Sequence, residues 1–184
     1  SRTKTVYFVY SGEVMLYNLT KHGNRKVIFI LGKGRLLNQS IVSKKPNALF
    51  CEAVCPVKVI EIAEEQFLQL MEQSHALTRA VLREYERNLW RMGHQLKNTT
   101  GNMQMERKIA AKLWKLGRDF GVDTEDGVMI DIDLTITLMA DLVGAPRENV
   151  SRACKVLTDR GLIRYGNKRF ILTDSDGLAE FYKM

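Results

Sequence analysis

The chain has 184 residues, of which 45% are hydrophobic and 27% charged, a balance that supports a buried core and excludes a disordered or fibrous chain. Its formal charge of +7 suits a polyanionic partner. No run reaches the roughly 18 apolar residues of a membrane span, Ser1 to Tyr10 lacks an apolar core followed by a cleavage site, and three cysteines leave an odd count with no CxxC pair. A membrane protein, a secreted disulfide framework and a structural zinc site are therefore set aside, and a cytoplasmic location is expected.

Residues 1–62 alternate short apolar runs with turns: Val6 to Tyr10, Ser11-Gly12, Val14 to Leu19, His22-Gly23-Asn24, Val27 to Leu31, then Gly32 and Gly34. Short strands at regular spacing predict an all-β barrel or roll. The string VYFVYSGEVMLYNLTKHGNRKVIFILGKG, above all its F-V-x-S-G-x-V-x-L-Y core, resembles the effector-binding β-roll of the Crp/Fnr family of bacterial transcription regulators. Members of that family carry several earlier strands, so the expectation is that strands preceding Ser1 are missing from this chain. Without them the roll would expose unpaired edges.

Cyclic-nucleotide binders of the family keep a phosphate cassette after the roll's glycines. A Gly-Glu pair takes the ribose hydroxyl and an Arg-Ser pair takes the cyclic phosphate. Here that region reads Leu37-Asn38-Gln39-Ser40 and later Pro46-Asn47-Ala48, with neither the Glu nor the Arg. A buried phosphate would lack its charge-assisted partner, which argues against cyclic AMP; Lys44 and Lys45 read as a solvated loop. No cofactor is evident and no metal site is expected. Cys51 and Cys55 on one strand would lie about 13 Å apart, past the ~7 Å limit for a disulfide, and are read as structural rather than redox-sensing. Cys154 reads as core filling, and His22, His75 and His94 as solvated residues.

Glu64 to Glu72 predicts a short helix. From Ser74 to about Thr100 a long helix follows, with Leu82, Tyr85, Leu89, Met92 and Leu96 recurring at spacings of three and four, a heptad seam that needs a partner helix. The family resemblance implies dimerisation on this seam. Arg79, Arg83, Arg87 and Arg91 read as a solvated flank. Thr99, Thr100, Gly101 and Asn102 weaken the helix and mark a hinge. The next helix, about Met105 to Leu116, buries Ile109, Ala110, Leu113 and Leu116.

The eight-residue run Ile136 to Val143 stops at Gly144, and Pro146 opens a second run to Arg160 with Val150, Ala153, Val156 and Leu157 as its buried stripe. Two short helices across a Gly-containing turn predict a helix-turn-helix. Gly161, the strand Leu162 to Tyr165, the turn pair Gly166-Asn167 and the strand Arg169 to Leu172 predict a wing. Ser175 to Tyr182 predicts a closing helix. Arg147, Glu148, Ser151 and Arg152 share one face of the second helix, and these side-chain types read base edges: Arg pairs with guanine, Glu accepts from cytosine, Ser serves several partners. Between Gly144 and Phe170 seven Lys or Arg residues stand against Glu148 and Asp159, and Lys155, Lys168 and Arg169 are the expected phosphate contacts.

From Ala140 to Ile163 the sequence resembles the DNA-binding domain of the same family. The resemblance places base reading on Glu148 and Arg152. Arg147 is the choice typical of its cyclic-AMP receptors and Ser151 that of its oxygen-responsive branch; both branches share the core TGA, six bases, TCA. The expected architecture is α+β: a partial cyclic-nucleotide-binding-type β-roll over 1–73, a dimerisation helix and hinge over 74–102, and a winged helix-turn-helix over 103–184. The expected function is a homodimeric transcription regulator of double-stranded DNA, acting with RNA polymerase under an unidentified effector. A rival from another class is a ligand- or redox-sensing module that acts through a protein partner. No nucleophile–base set, phosphate loop or ligand cluster supports an enzyme.

Overall fold

The computed structural model describes residues 4–21, 23–43, 45–99 and 103–183, the side chains of 96–99 excepted. Its contacts divide the chain into two units, Ser1–Leu19 with Ile28–Lys97 and Thr20–Val27 with Asn98–Met184.

In the first unit β1 (Thr5–Ser11) pairs antiparallel with β5 (Lys58–Ala63), and β2 (Val14–Leu19) lies between β3 (Arg25–Leu31) and β4 (Phe50–Ala53). Side chains alternate along a strand, and β1 uses both faces. Val9 packs with Val14, Leu16, Phe29, Leu31 and Leu37 inside the roll, with Tyr7 against the same cluster. Val6 and Phe8 pack on the other side with Leu36, Ile41, Phe67 and Val81. The turn from β1 to β2 requires Gly12: its φ is +81°, and a Cβ there would stand 2.4 Å from the Pro56 carbonyl oxygen.

Helix α1 (Glu64–Gln73) anchors on Phe67, whose ring lies 5.5 Å from that of Phe8. Ser74 ends it, and its hydroxyl accepts from Leu77 N–H to start α2 (His75–Thr99). The inner face of α2 carries Val81, 6% exposed, and the Glu84 carboxylate 2.9 Å from Arg35. Tyr85, half-buried, packs against the second cluster and its hydroxyl donates to the Asn38 carbonyl. The outer face leaves Leu82 55%, Leu89 71% and Met92 45% exposed. Leu96 and the hinge residues Thr99, Thr100, Gly101 and Asn102 lie outside the described side chains, as do His22 and Lys44.

In the second unit α3 (Met105–Phe120) packs on α5 (Arg147–Asp159) and α6 (Ser175–Lys183). It buries Ile109, Ala110, Leu113 and Leu116, as its 3.6-residue spacing predicts. A four-stranded antiparallel sheet in the order β6-β7-β9-β8 completes the unit. Its strands are β6 (Gly121–Thr124), β7 (Gly127–Ile130), β8 (Ile163–Gly166) and β9 (Arg169–Leu172). The first hairpin was not anticipated. The wing turn also shifts by one residue from Gly166-Asn167. Gly166 pairs with Arg169, and Asn167 and Lys168 take the left-handed conformation at φ 49° and 60°, the geometry of a two-residue hairpin whose twist matches its strands.

Candidate nucleic-acid interface

Helix α4 (Ile136–Val143) begins at Thr135, whose hydroxyl accepts from Leu138 N–H at 3.0 Å. It ends at Gly144 in the left-handed region, φ 72°, whose N–H donates to the Ala140 carbonyl. Pro146 then stands at the N-cap of α5, where its missing N–H costs no hydrogen bond. Burial of Val150 (0%), Ala153 (2%) and Leu157 (0%) fixes the rotation of α5 about its axis. Arg147, Glu148, Ser151 and Arg152 are all exposed, so the four predicted readers share the open side of the first two turns. Val156 departs from the predicted buried stripe. It is 37% exposed, and Cys154 takes the inner place, with burial pushing its thiol up to about 11.

Asn149 joins this surface unanticipated. Its amide oxygen accepts from the Arg152 guanidinium, which orients that side chain along the helix. The i,i+3 spacing carried the signal, because neighbours three apart meet on a helix.

The predicted phosphate contacts separate. Lys155 and Lys168 are exposed, and the left-handed backbone at Lys168 lifts it onto the wing tip. Arg169 turns instead to carboxylates: its Nη2 lies 3.5 Å from Asp131 and 3.5 Å from Asp133. Arg164 is paired with Asp126. The local cationic excess read from Gly144 to Phe170 is thus partly answered by acidic residues earlier in the chain, outside that stretch of sequence.

In the roll, the cassette side chains serve the backbone. Asn38 accepts from Tyr7 N–H and donates to the Thr5 carbonyl. Gln39 accepts from Leu49 N–H at 2.9 Å, and its own N–H donates to the Asn47 amide oxygen at 3.1 Å. A neutral amide at each of these positions provides neither the carboxylate for a ribose hydroxyl nor the guanidinium for a cyclic phosphate. Cys51 lies on β4, where partial burial raises its thiol pKa, and the Cys55 thiol donates to Glu13. No group of three or more metal-ligating side chains stands together among the described residues, and no helix among them is long and apolar enough to cross a membrane.

Along α2, Trp90 is 61% exposed, with its ring centroid 3.9 Å from that of His94 and the two rings tilted by 46°. The heptad reading missed it because it lies one residue past Leu89. With Leu82 and Leu89 it makes the open stripe of the helix.

Comparison with known proteins agrees with both units. Residues 1–74 match the model of the cyclic nucleotide-binding domain and residues 107–181 that of the Crp-like helix-turn-helix domain. A CRP-like cAMP-activated global transcriptional regulator of Mycobacterium tuberculosis is 25% identical over 175 residues, covering 95% of this chain and 78% of the relative. A global nitrogen regulator of Nostoc sp. is 25% identical over 167 residues, covering 89% and 74%. The structure of FixK2 from Bradyrhizobium japonicum superposes with a TM-score of 0.82 at 20% identity, covering 98% of this chain and 88% of that one. The two sequence relatives are regulators, not enzymes, and the chain is a member of the Crp/Fnr family of transcription regulators, with a cyclic nucleotide-binding-type domain followed by a DNA-binding helix-turn-helix.

Proposed function

We propose that this protein works as a homodimer on a palindromic DNA site with the core TGA, six bases, TCA, under an effector other than cyclic AMP. The observation that carries the reading is the front of α5, where Arg147, Glu148, Ser151 and Arg152 are exposed above a fully buried Val150. That set offers donors for guanine O6 and N7 and an acceptor for cytosine N4. A second copy is the occupant that suits α2. Its open stripe is apolar at Leu82, Leu89 and Trp90 and small at Gly93, which lets a twin helix approach closely. Pairing two such units places two recognition helices about one DNA turn, ~34 Å, apart.

Against cyclic AMP stands the amide-for-charge exchange at Gln39 and Asn47. An effector that biases the dimer between DNA-competent and incompetent arrangements would act through differential affinity for the two. RNA polymerase is the partner expected of a regulator of this class, and the cytoplasm its place of work.

The test is binding of the purified protein to a labelled palindrome and to a scrambled duplex, at two salt concentrations, with and without cyclic AMP. Selective binding by a dimer, unchanged by cyclic AMP, is the expected result. Equal binding to both duplexes would defeat the base-reading assignment, and a cyclic-AMP-dependent gain in affinity would defeat the effector assignment.

A further inference from the structure

The wing contains a cation that is already occupied. Arg169 opens β9, opposite Gly166 of β8. On its other side, β9 pairs with β7 through Val128↔Leu172 and Met129↔Ile171. Antiparallel partners step in opposite directions, so continuing that ladder by two residues sets Asp131 against Arg169. The segment after β7 alternates: Ile132 (1% exposed) and Leu134 (0%) point into the core, which turns Asp131 and Asp133 outward on the same side. Leu134 N–H donates to the Lys168 carbonyl at 2.8 Å and ties this segment to the wing tip.

Both carboxylates consequently reach one guanidinium nitrogen, Nη2 of Arg169, at 3.5 Å, with the aspartates 55% and 47% exposed. The other terminal nitrogen, Nη1, is buried and has no hydrogen-bond partner. The arrangement differs from a bidentate fork, in which both nitrogens would bond at about 2.7–2.9 Å. It is loose, and its aspartates are about half exposed while the Arg169 side chain is 32% exposed, so it is able to exchange for another anion. A carboxylate and a phosphodiester present the same pair of anionic oxygens to an arginine, so the two compete for Arg169. Arg164 with Asp126 repeats the theme at the β6–β7 turn.

We propose that Asp131 and Asp133 are an internal substitute for DNA phosphate. They hold Arg169 out of the sequence-independent contact that its place on the wing would otherwise give it. The inference rests on the DNA-binding reading and names two residues that limit non-specific binding. Non-specific affinity consists almost wholly of phosphate neutralisation, so each cation withheld lowers it, while base contacts made by α5 are untouched.

The test is a cycle of variants of the full chain on a scrambled duplex, across a salt series: wild type, Arg169→Gln, Asp131→Asn with Asp133→Asn, and the triple variant. Arg169→Gln alone is expected to leave the salt slope at its wild-type value, because no phosphate contact is lost. The double Asn variant is expected to bind more tightly, with a slope steeper by about 0.9, an extra loss of about 3.5-fold between roughly 50 and 200 mM salt. Adding Arg169→Gln is expected to return the slope to wild type. A gain that persists in the triple variant would reflect removal of two negative charges alone and would overturn the proposal, as would a double variant with no gain. Thermal melts of each protein identify any that fail to fold, and Asp133→Asn alone, with half the counter-charge removed, repeats the measurement. The cycle is read on scrambled DNA, so failure of the palindrome reading shows separately, as equal wild-type binding to both duplexes.

Discussion

The hydroxyl of Tyr85 donates to the backbone carbonyl of Asn38 at 3.4 Å, across 47 residues of chain. That bond joins the middle of α2 to the segment where the family's cyclic-nucleotide binders keep their cassette. Tyr85 packs against its own roll, while Leu82 and Leu89 on the adjoining strip of the helix are 55% and 71% exposed. Burial first, and the neighbouring Glu84 second, push the Tyr85 hydroxyl up to about 12, so it stays protonated and keeps donating throughout the physiological range.

Dimerisation should follow the open stripe rather than the full heptad. Leu89→Lys places a charge on the most exposed large apolar residue among the described side chains of α2 and is expected to shift the protein to monomer in sedimentation. Tyr85→Phe removes a long, weak hydrogen bond, costs at most about 1 kcal/mol of stability, and should leave the dimer intact. A monomeric Tyr85→Phe protein beside a dimeric Leu89→Lys would reverse this assignment.

Base reading should localise to two side chains. Glu148→Ala and Arg152→Ala are each expected to cost about 1–3 kcal/mol on the palindrome and to relax preference at one base position. Competition with single-base variants of the site reads both effects. Asn149→Ala should give a smaller loss of the same kind, because Asn149 holds the Arg152 guanidinium.

Lys168 should behave as a backbone contact. Its exposed place on the wing tip at φ 60° predicts that Lys168→Gln weakens binding alike on palindrome and scrambled duplex, and flattens the salt slope by about 0.9. A loss confined to the palindrome would mean that the wing reads bases.

The turn between α4 and α5 depends on a residue without a Cβ. Gly144 lies at φ 72°, and a left-handed backbone costs an L side chain roughly 1–2 kcal/mol. Gly144→Val is expected to lower the melting temperature and weaken DNA binding together; Thr135→Ala, which removes the cap of α4, should cost about 1 kcal/mol of stability.

Alkaline stability carries a mark of Cys154. Burial raises its thiol from 9.0 to about 11, so the folded state holds the proton more tightly than the unfolded one. Its contribution is fully present below pH 9 and is lost as pH rises towards 11. Denaturation curves should show stability falling across that window, and Cys154→Ala should flatten the fall. An unchanged pH dependence in the variant would refute the assignment.

Much of the helix-turn-helix was legible because its determinants are local. Thr135, Gly144 and Pro146 each act on the backbone within one turn of themselves, and the 3.6-residue spacing of Val150, Ala153 and Leu157 states which face is buried without reference to a partner. The four residues proposed to read bases follow as the complement of that face. The bounds Ile136–Val143 were read from sequence alone, and α5 begins one residue after Pro146. The β6–β7 hairpin escaped because Gly121–Thr124 is exposed throughout and has no apolar alternation; it is held by pairing with β7, which in turn pairs with β9, some forty residues later in the chain.

The sequence by itself determined the family and the side-chain types on the open face of α5, since both rest on short motifs whose geometry is local. Only the tertiary structure decided which charges are available. Arg169 and Lys168 are neighbours in the chain and alike in charge, yet one meets Asp131 and Asp133 while the other stands in solvent. Likewise Tyr85 and Leu89 stand one turn apart on α2, yet Tyr85 packs against the roll while Leu89 is 71% exposed. A charge or a methyl group acts through what lies within a few ångströms of it, and those neighbours come from distant parts of the chain.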